Sequence, residues 1–196
     1  MPAIDLPVLA FGDVAGWEAW LKAQGASSRG VWLKFSKAGA PRPTLRKAEA
    51  IEAALCHGWI DGQLAKFDEH YFLVRFTPRR PGSRWSAINC DAAQRLIEAG
   101  RMSEAGWREV EAAKADGRWD AAYASQSKAQ PPPDLVEALA ANPAAERIFG
   151  RLDAANRYAV IYRVQDAKKP ETRARRIAQY VDMLARGETI HPRKRE

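Results

Sequence analysis

The chain has 196 residues, 46% hydrophobic and 28% charged, proportions that suit a folded core and exclude wholesale disorder. No run approaches the roughly 18 apolar residues of a membrane span, and the N-terminal MPAIDLPVLAFGD lacks a basic leader and carries Asp5 early, so a cytosolic location is expected. The net charge of +7 gathers in residues 151–196, twelve Lys/Arg against six acids, which invites an acidic partner unless the charge only solvates helix faces and a tail.

In chain order, Asp13 is placed to cap a helix over 14–24 whose Val14, Trp17 and Leu21 share a face. GVWLKFS then alternates Val31, Leu33 and Phe35 with Trp32, Lys34 and Ser36, the pattern of a half-buried strand. After the exposed loop KAGAPRP, Thr44 is expected to cap a helix running to Cys56, with Leu45, Ala48, Ile51 and Leu55 inward and Gly58 just beyond. Strands around 59–66 and 70–76 follow, joined at Asp68-Glu69 and stopped by Pro78 and Pro81. Helices are expected at 89–99 and 104–116, then a stiff Pro-rich linker at 124–133. Beyond it lie short helices, one over 134–141, one opened by Asn142-Pro143 and one capped by Asp153. The last carries the stripe Ile177, Tyr180, Val181 and Leu184 and ends at Gly187. The expected fold is α+β, a small mostly antiparallel sheet with helices in the first half and helices alone in the second. The expected divisions are a domain over 1–123, the linker over 124–133, a helical region over 134–190 and a basic tail over 191–196.

Residues 56–89, CHGWIDGQLAKFDEHYFLVRFTPRRPGSRWSAIN, hold the densest chemistry. Arg75, Arg79, Arg80 and Arg84 fall within ten residues that contain no acid. Guanidinium forks donate paired hydrogen bonds in a plane and so suit phosphate or carboxylate. The turn RRPGSR also leads into a helix start, whose free N–H groups attract anions. Duller readings stand beside these. Ser86 and Asn89 serve as helix caps, Trp59 and Trp85 as core, and Asp61-Gly62 as a turn pair. Cys56 reads as a buried structural thiol, and with Cys90 it gives no disulfide framework and no metal spacing. No phosphate-binding loop, dinucleotide fingerprint, serine elbow or His-Glu-x-x-His occurs, and the histidines at 57, 70 and 191 are too scattered for a metal. No cofactor and no metal are therefore expected.

The blocks ALCHGWIDGQ (54–63), RFTPRRPGSRWSAIN (75–89), EAGRM (98–102), AKADGRWDAAY (113–123) and AKKPETRARRI (167–177) together resemble the YdeI/OmpD-associated, or bacteriocin-protection, family over about residues 15–190. Ala87 stands where that family often has a basic residue, and His57 where an aromatic is common. The resemblance implies a place in outer-membrane porin physiology and in survival of envelope-directed toxins; it brings no substrate, cofactor or catalytic residue. Three functions compete. The first is a stress-protection protein that binds a small anion through Arg75, Arg79, Arg80 and Arg84, walled by Trp59 and Trp85 and oriented by Asp61 and Asn89. The second is an enzyme on a small polar substrate with Asp61, His57 or His70 as acid and base, which needs two of them in one cleft. The third is a sequence-blind nucleic-acid binder using the basic C-terminal helices.

Overall fold

The structure is a computed structural model that describes residues 4–192. Of the basic tail expected over 191–196, residues 193–196 lie outside the described residues. The chain forms two compact units, one ending at Ala122 and the other beginning at Tyr123.

The first unit is built on a four-stranded sheet in the order β1-β2-β4-β3. Its strands are β1 (Val8–Leu9), β2 (Val31–Ser36), β3 (Trp59–Lys66) and β4 (Tyr71–Pro78). β4 runs antiparallel to both β2 and β3, but β1 runs parallel to β2, so the sheet is mixed and the expectation of a mostly antiparallel one is corrected. β1 went unforeseen because two residues are too few to show an alternation. It is held by pairing Val8 with Trp32 and by the Trp32 N–H donating to the Pro7 carbonyl at 2.8 Å.

The sheet buries both faces. Val31, Leu33, Phe35, Val74 and Phe76 share one cluster with Trp17 and Leu21 of α1 (Val14–Gln24) and with Ala50, Ala53 and Ala54 of α2 (Lys47–Cys56). Trp32, Ala65 and Leu73 form a second cluster with Leu6 packed on it. Trp32 is thus wholly buried, where alternation alone placed it on a solvated face.

Thr44 does not cap α2. Its hydroxyl accepts from the Ser36 N–H at 2.9 Å while its own N–H donates to Ser36 Oγ at 3.2 Å, pinning the loop to the end of β2. Arg46 is the cap residue, and its N–H donates to Glu49 Oε2 at 3.1 Å. The inward face shifts accordingly, and Ala48 is exposed. Asp61-Gly62 is no turn, because it lies inside β3 where the register slips between Asp61 and Leu64, the signature of a bulge.

Helices α3 (Ala87–Glu98) and α4 (Glu104–Ala115) complete this unit. Ser86 caps α3, its Oγ accepting from the Asn89 N–H at 3.2 Å. Ser103 caps α4 and donates its hydroxyl to the Cys56 carbonyl at 2.7 Å. Together they bury Cys90, Ala93, Leu96, Val110 and Ala113 against Leu55, Cys56 and Trp85. Gly58 joins α2 to β3 at φ +73°, and a Cβ there would meet the Ala105 carbonyl at 2.9 Å, so both conformation and space demand glycine.

The second unit holds α5 (Pro133–Ala140), α6 (Pro143–Gly150), α7 (Ala154–Gln165) and α8 (Pro170–Ala185), and no strand lies among its described residues. Proline opens three of the four, where its missing N–H costs no hydrogen bond. Ile177, Tyr180 and Leu184 of α8 meet Leu135, Leu139, Phe149, Val160 and Ile161 in the core. Asn156 is buried in this unit. Its Oδ1 accepts from the His191 N–H at 2.8 Å, and its Nδ2 donates to Asp153 Oδ1 at 3.1 Å. Among the described residues no helix is long and apolar enough to cross a membrane.

Candidate functional site

Strand β4 and the link after it deliver the arginines. The Arg79 N–H donates to the Gly58 carbonyl at 2.9 Å, which fixes the chain as it leaves Pro78. The Arg79 side chain is 6% exposed and lies flat over Trp85, its guanidinium carbon 3.7 Å from the ring centre. Its Nη1 donates to the Arg84 carbonyl at 3.2 Å. Arg80 is exposed, its backbone N–H tied to Ser83 Oγ at 2.8 Å. Arg75 meets Asp5, Nη2 to Oδ2 at 3.2 Å, while its Nε is buried without a hydrogen-bond partner.

Arg75, Arg79 and Arg80 line one concavity of about 440 Å³, with Arg29, Thr77 and Asp5 also on its walls. Arg29 carried no sequence signal, standing alone before Gly30. Pairing Val31 with Phe76 is what brings the residues before β2 beside those that end β4. Arg29 could have been found only from that pairing and Asp5 only from β1 lying beside β2, whereas Thr77 stands two residues from Arg75 in the same strand.

The other expected members lie elsewhere. Arg84 contributes its carbonyl to Arg79 and does not line the pocket. Trp59 is buried among Trp17 and Trp20, with its ring edge-on to both at 6.2 and 5.7 Å. Trp85 belongs to a different cluster and faces Trp119 at 5.0 Å, so the two tryptophans do not wall one site. Trp85 reaches the site only by supporting Arg79. Asn89 gives its backbone N–H to Ser86, Asp61 pairs with Phe76 in the sheet, and neither they nor the start of α3 lines the concavity.

A second concavity of about 640 Å³ is lined by His57, Trp59, Ser103, Glu104, Arg108 and, again, Arg79. Burial holds the His57 imidazole below its ordinary range, with Glu18 pulling it up and Lys22 pushing it down. Asp61 and His70 are not on its walls. His57 precedes β3 and His70 follows its far end; eight residues of strand span about 26 Å. His57 and His70 therefore do not meet as an acid/base pair, and Asp61 does not line the concavity that His57 lines.

Cys56 and Cys90 are buried free thiols. Desolvation pushes both up, Cys90 to about 11 despite the opposing charge of Arg79. Thiolates are the reactive form, so a native sample at pH 8 is expected to leave both thiols untouched by a disulfide reagent over minutes, and to react twice once unfolded. Rapid native reaction of either would contradict the packing described.

Part of the basic charge of the second unit is paired within it. Arg173 grips Asp134 with two hydrogen bonds, 2.5 and 2.8 Å, and Arg186 pairs with both Asp182 and Glu188. Arg176 meets Asp166 at 3.4 Å, and Arg157 covers the Phe149 ring at 4.7 Å. No group of three or more His, Cys, Asp or Glu among the described residues is placed to hold a metal.

Residues 9–109 match the model of a domain of unknown function, DUF8412, and residues 128–187 match the OmdA family, described as bacteriocin-protection, YdeI or OmpD-associated. Of the five blocks that carried the resemblance, the first three fall in the former match and AKKPETRARRI in the latter. No curated protein and no solved structure matches the chain.

Proposed function

The chain belongs to the DUF8412 family through residues 9–109 and is a YdeI/OmpD-associated, OmdA-containing protein through residues 128–187, and from that premise we propose that it binds a small oxyanion in the arginine-lined concavity of its first unit. The observation that carries this reading is the convergence of Arg29, Arg75, Arg79 and Arg80, from two stretches of chain, on one concavity of about 440 Å³. Four arginines on the walls of one concavity gather positive charge that an anion would offset, and planar forks match phosphate and carboxylate oxygens. Asp5 supplies only one negative charge. The OmdA description offers the setting, with ligand binding serving protection against bacteriocins.

A melting series with phosphate, nucleotides, sugar phosphates and dicarboxylates tests the proposal. A ligand at a hundred times its Kd stabilises by about 2.7 kcal/mol, so at least one is expected to raise Tm by about 5 °C or more. The Arg79→Ala/Arg80→Ala double variant should lose that rise and should fail to restore bacteriocin tolerance to a strain lacking the protein. If no anion shifts the wild type, the reading is wrong.

A further inference from the structure

The arginine-lined concavity is already visited by a carboxylate of the chain itself. Asp5 Oδ2 lies 3.2 Å from Arg75 Nη2 across a separation of 70 residues, and both side chains remain partly exposed, 53% and 29%. The segment that carries Asp5 is lightly held. Residues 4–6 make no backbone hydrogen bond among the described residues, and the ladder that fixes the strand begins only with the Trp32 N–H on the Pro7 carbonyl. Leu6 is the anchor, packed on the cluster of Trp32, Ala65 and Leu73. Asp5 is thus delivered to the pocket by one apolar contact on one side and a two-residue strand on the other.

We propose that Asp5 is a built-in competitor for this pocket, displaced from Arg75 by an oxyanion that carries more than one negative charge. The inference rests on the anion-binding reading given above. Its physical basis is a mismatch of charge. Arg29, Arg75, Arg79 and Arg80 bring four positive charges to the walls and Asp5 returns one. Arg29 and Arg80 make no ion pair among the described residues, so a ligand bridging them gains what a single carboxylate cannot supply. An exposed ion pair contributes little, which makes Asp5 easy to displace. The carboxylate then sets a threshold: monoanions compete with Asp5 on equal terms and bind poorly, and polyanions win. Thr77, on the same wall, adds a neutral hydroxyl donor within the pocket.

Calorimetric titration of the full chain with inorganic pyrophosphate, malonate and acetate separates the phosphoryl, dicarboxylate and monoanion cases. Asp5→Asn is expected to tighten the better of the two polyanions by about two- to fivefold, which is what an exposed pair of up to about 1 kcal/mol converts to at 1.4 kcal/mol per tenfold. Acetate should bind wild type at least about tenfold more weakly than that polyanion. In an Arg75→Gln background, Asp5→Asn should no longer tighten binding, because the carboxylate acts through Arg75. If Asp5→Asn leaves affinity unchanged or lowers it while Arg79→Ala/Arg80→Ala still abolishes binding, the pocket stands and the competitor role is overturned. If neither wild type nor Asp5→Asn binds any of the three, the competitor role and the anion pocket fall together.

Discussion

Replacing Trp17 by alanine is expected to lower the unfolding free energy of the first unit by about 3–5 kcal/mol. The indole is wholly buried and is the hub of the aromatic core. Trp20 stacks on it at 5.3 Å, Phe76 and Trp59 meet it edge-on at 5.8 and 6.2 Å, and Phe11 tilts against it at 5.5 Å. Its Nε1–H also donates to the Ala50 carbonyl at 3.1 Å, joining α1 to α2. Alanine leaves a void that four rings on separate elements cannot close without leaving their rotamers. Trp107, 39% exposed on α4, is the matched control, and its alanine variant should stay within about 0.5 kcal/mol of wild type. Denaturant unfolding followed by circular dichroism reads both. A Trp17→Ala loss below about 1 kcal/mol would mean that this cluster does not organise the sheet–helix interface.

Arg79 and Arg80 are adjacent in sequence and should fail in different ways. Arg79 is buried, stacked on Trp85 and bonded to the Arg84 carbonyl. Arg79→Met is expected to cost about 3 kcal/mol of stability, combining a desolvated cation–π contact of about 2 with an abandoned buried acceptor of about 1. It should also remove anion binding. Arg79→Lys keeps the charge but neither the plane nor the fork, so it should recover little of either. Arg80 is exposed, and its structural bond to Ser83 uses only the backbone. Arg80→Ala should leave stability within about 0.5 kcal/mol and weaken anion binding by about tenfold, the worth of one charge-assisted hydrogen bond. Equal losses of stability in the two variants would contradict the division between a supporting guanidinium and a presenting one.

The strands β2 and β4 were legible because large apolar residues recur at every second position, and α8 because its stripe repeats every three to four residues. What alternation could not show was the second cover of the sheet. Trp32 looks solvent-facing in GVWLKFS, and only the return of Leu6 from the N-terminal side buries it. Thr44 had the chemistry of a cap but spent its hydroxyl on Ser36, a competition between local and tertiary hydrogen bonds that residue preferences do not encode. At the candidate site, the run of arginines was visible and three of its four members converge. The tryptophans misled because the sequence does not show that Trp59 enters the sheet–helix core while Trp85 packs with α3 and α4. Arg29 and Asp5 were invisible because strand pairing, rather than sequence spacing, places them.

The clasp between Asn156 and His191 sets how far the second unit can be shortened. Asn156 is 1% exposed, and the partner of its Oδ1 is a backbone N–H beyond the end of α8. A chain cut after Gly187 would retain all four helices, yet lose Ile190 from the edge of the apolar core and leave that buried amide oxygen without its donor. The minimal folding length of the helical unit is therefore set by contacts past the last helix, and a boundary drawn at the last helical turn would be drawn too early.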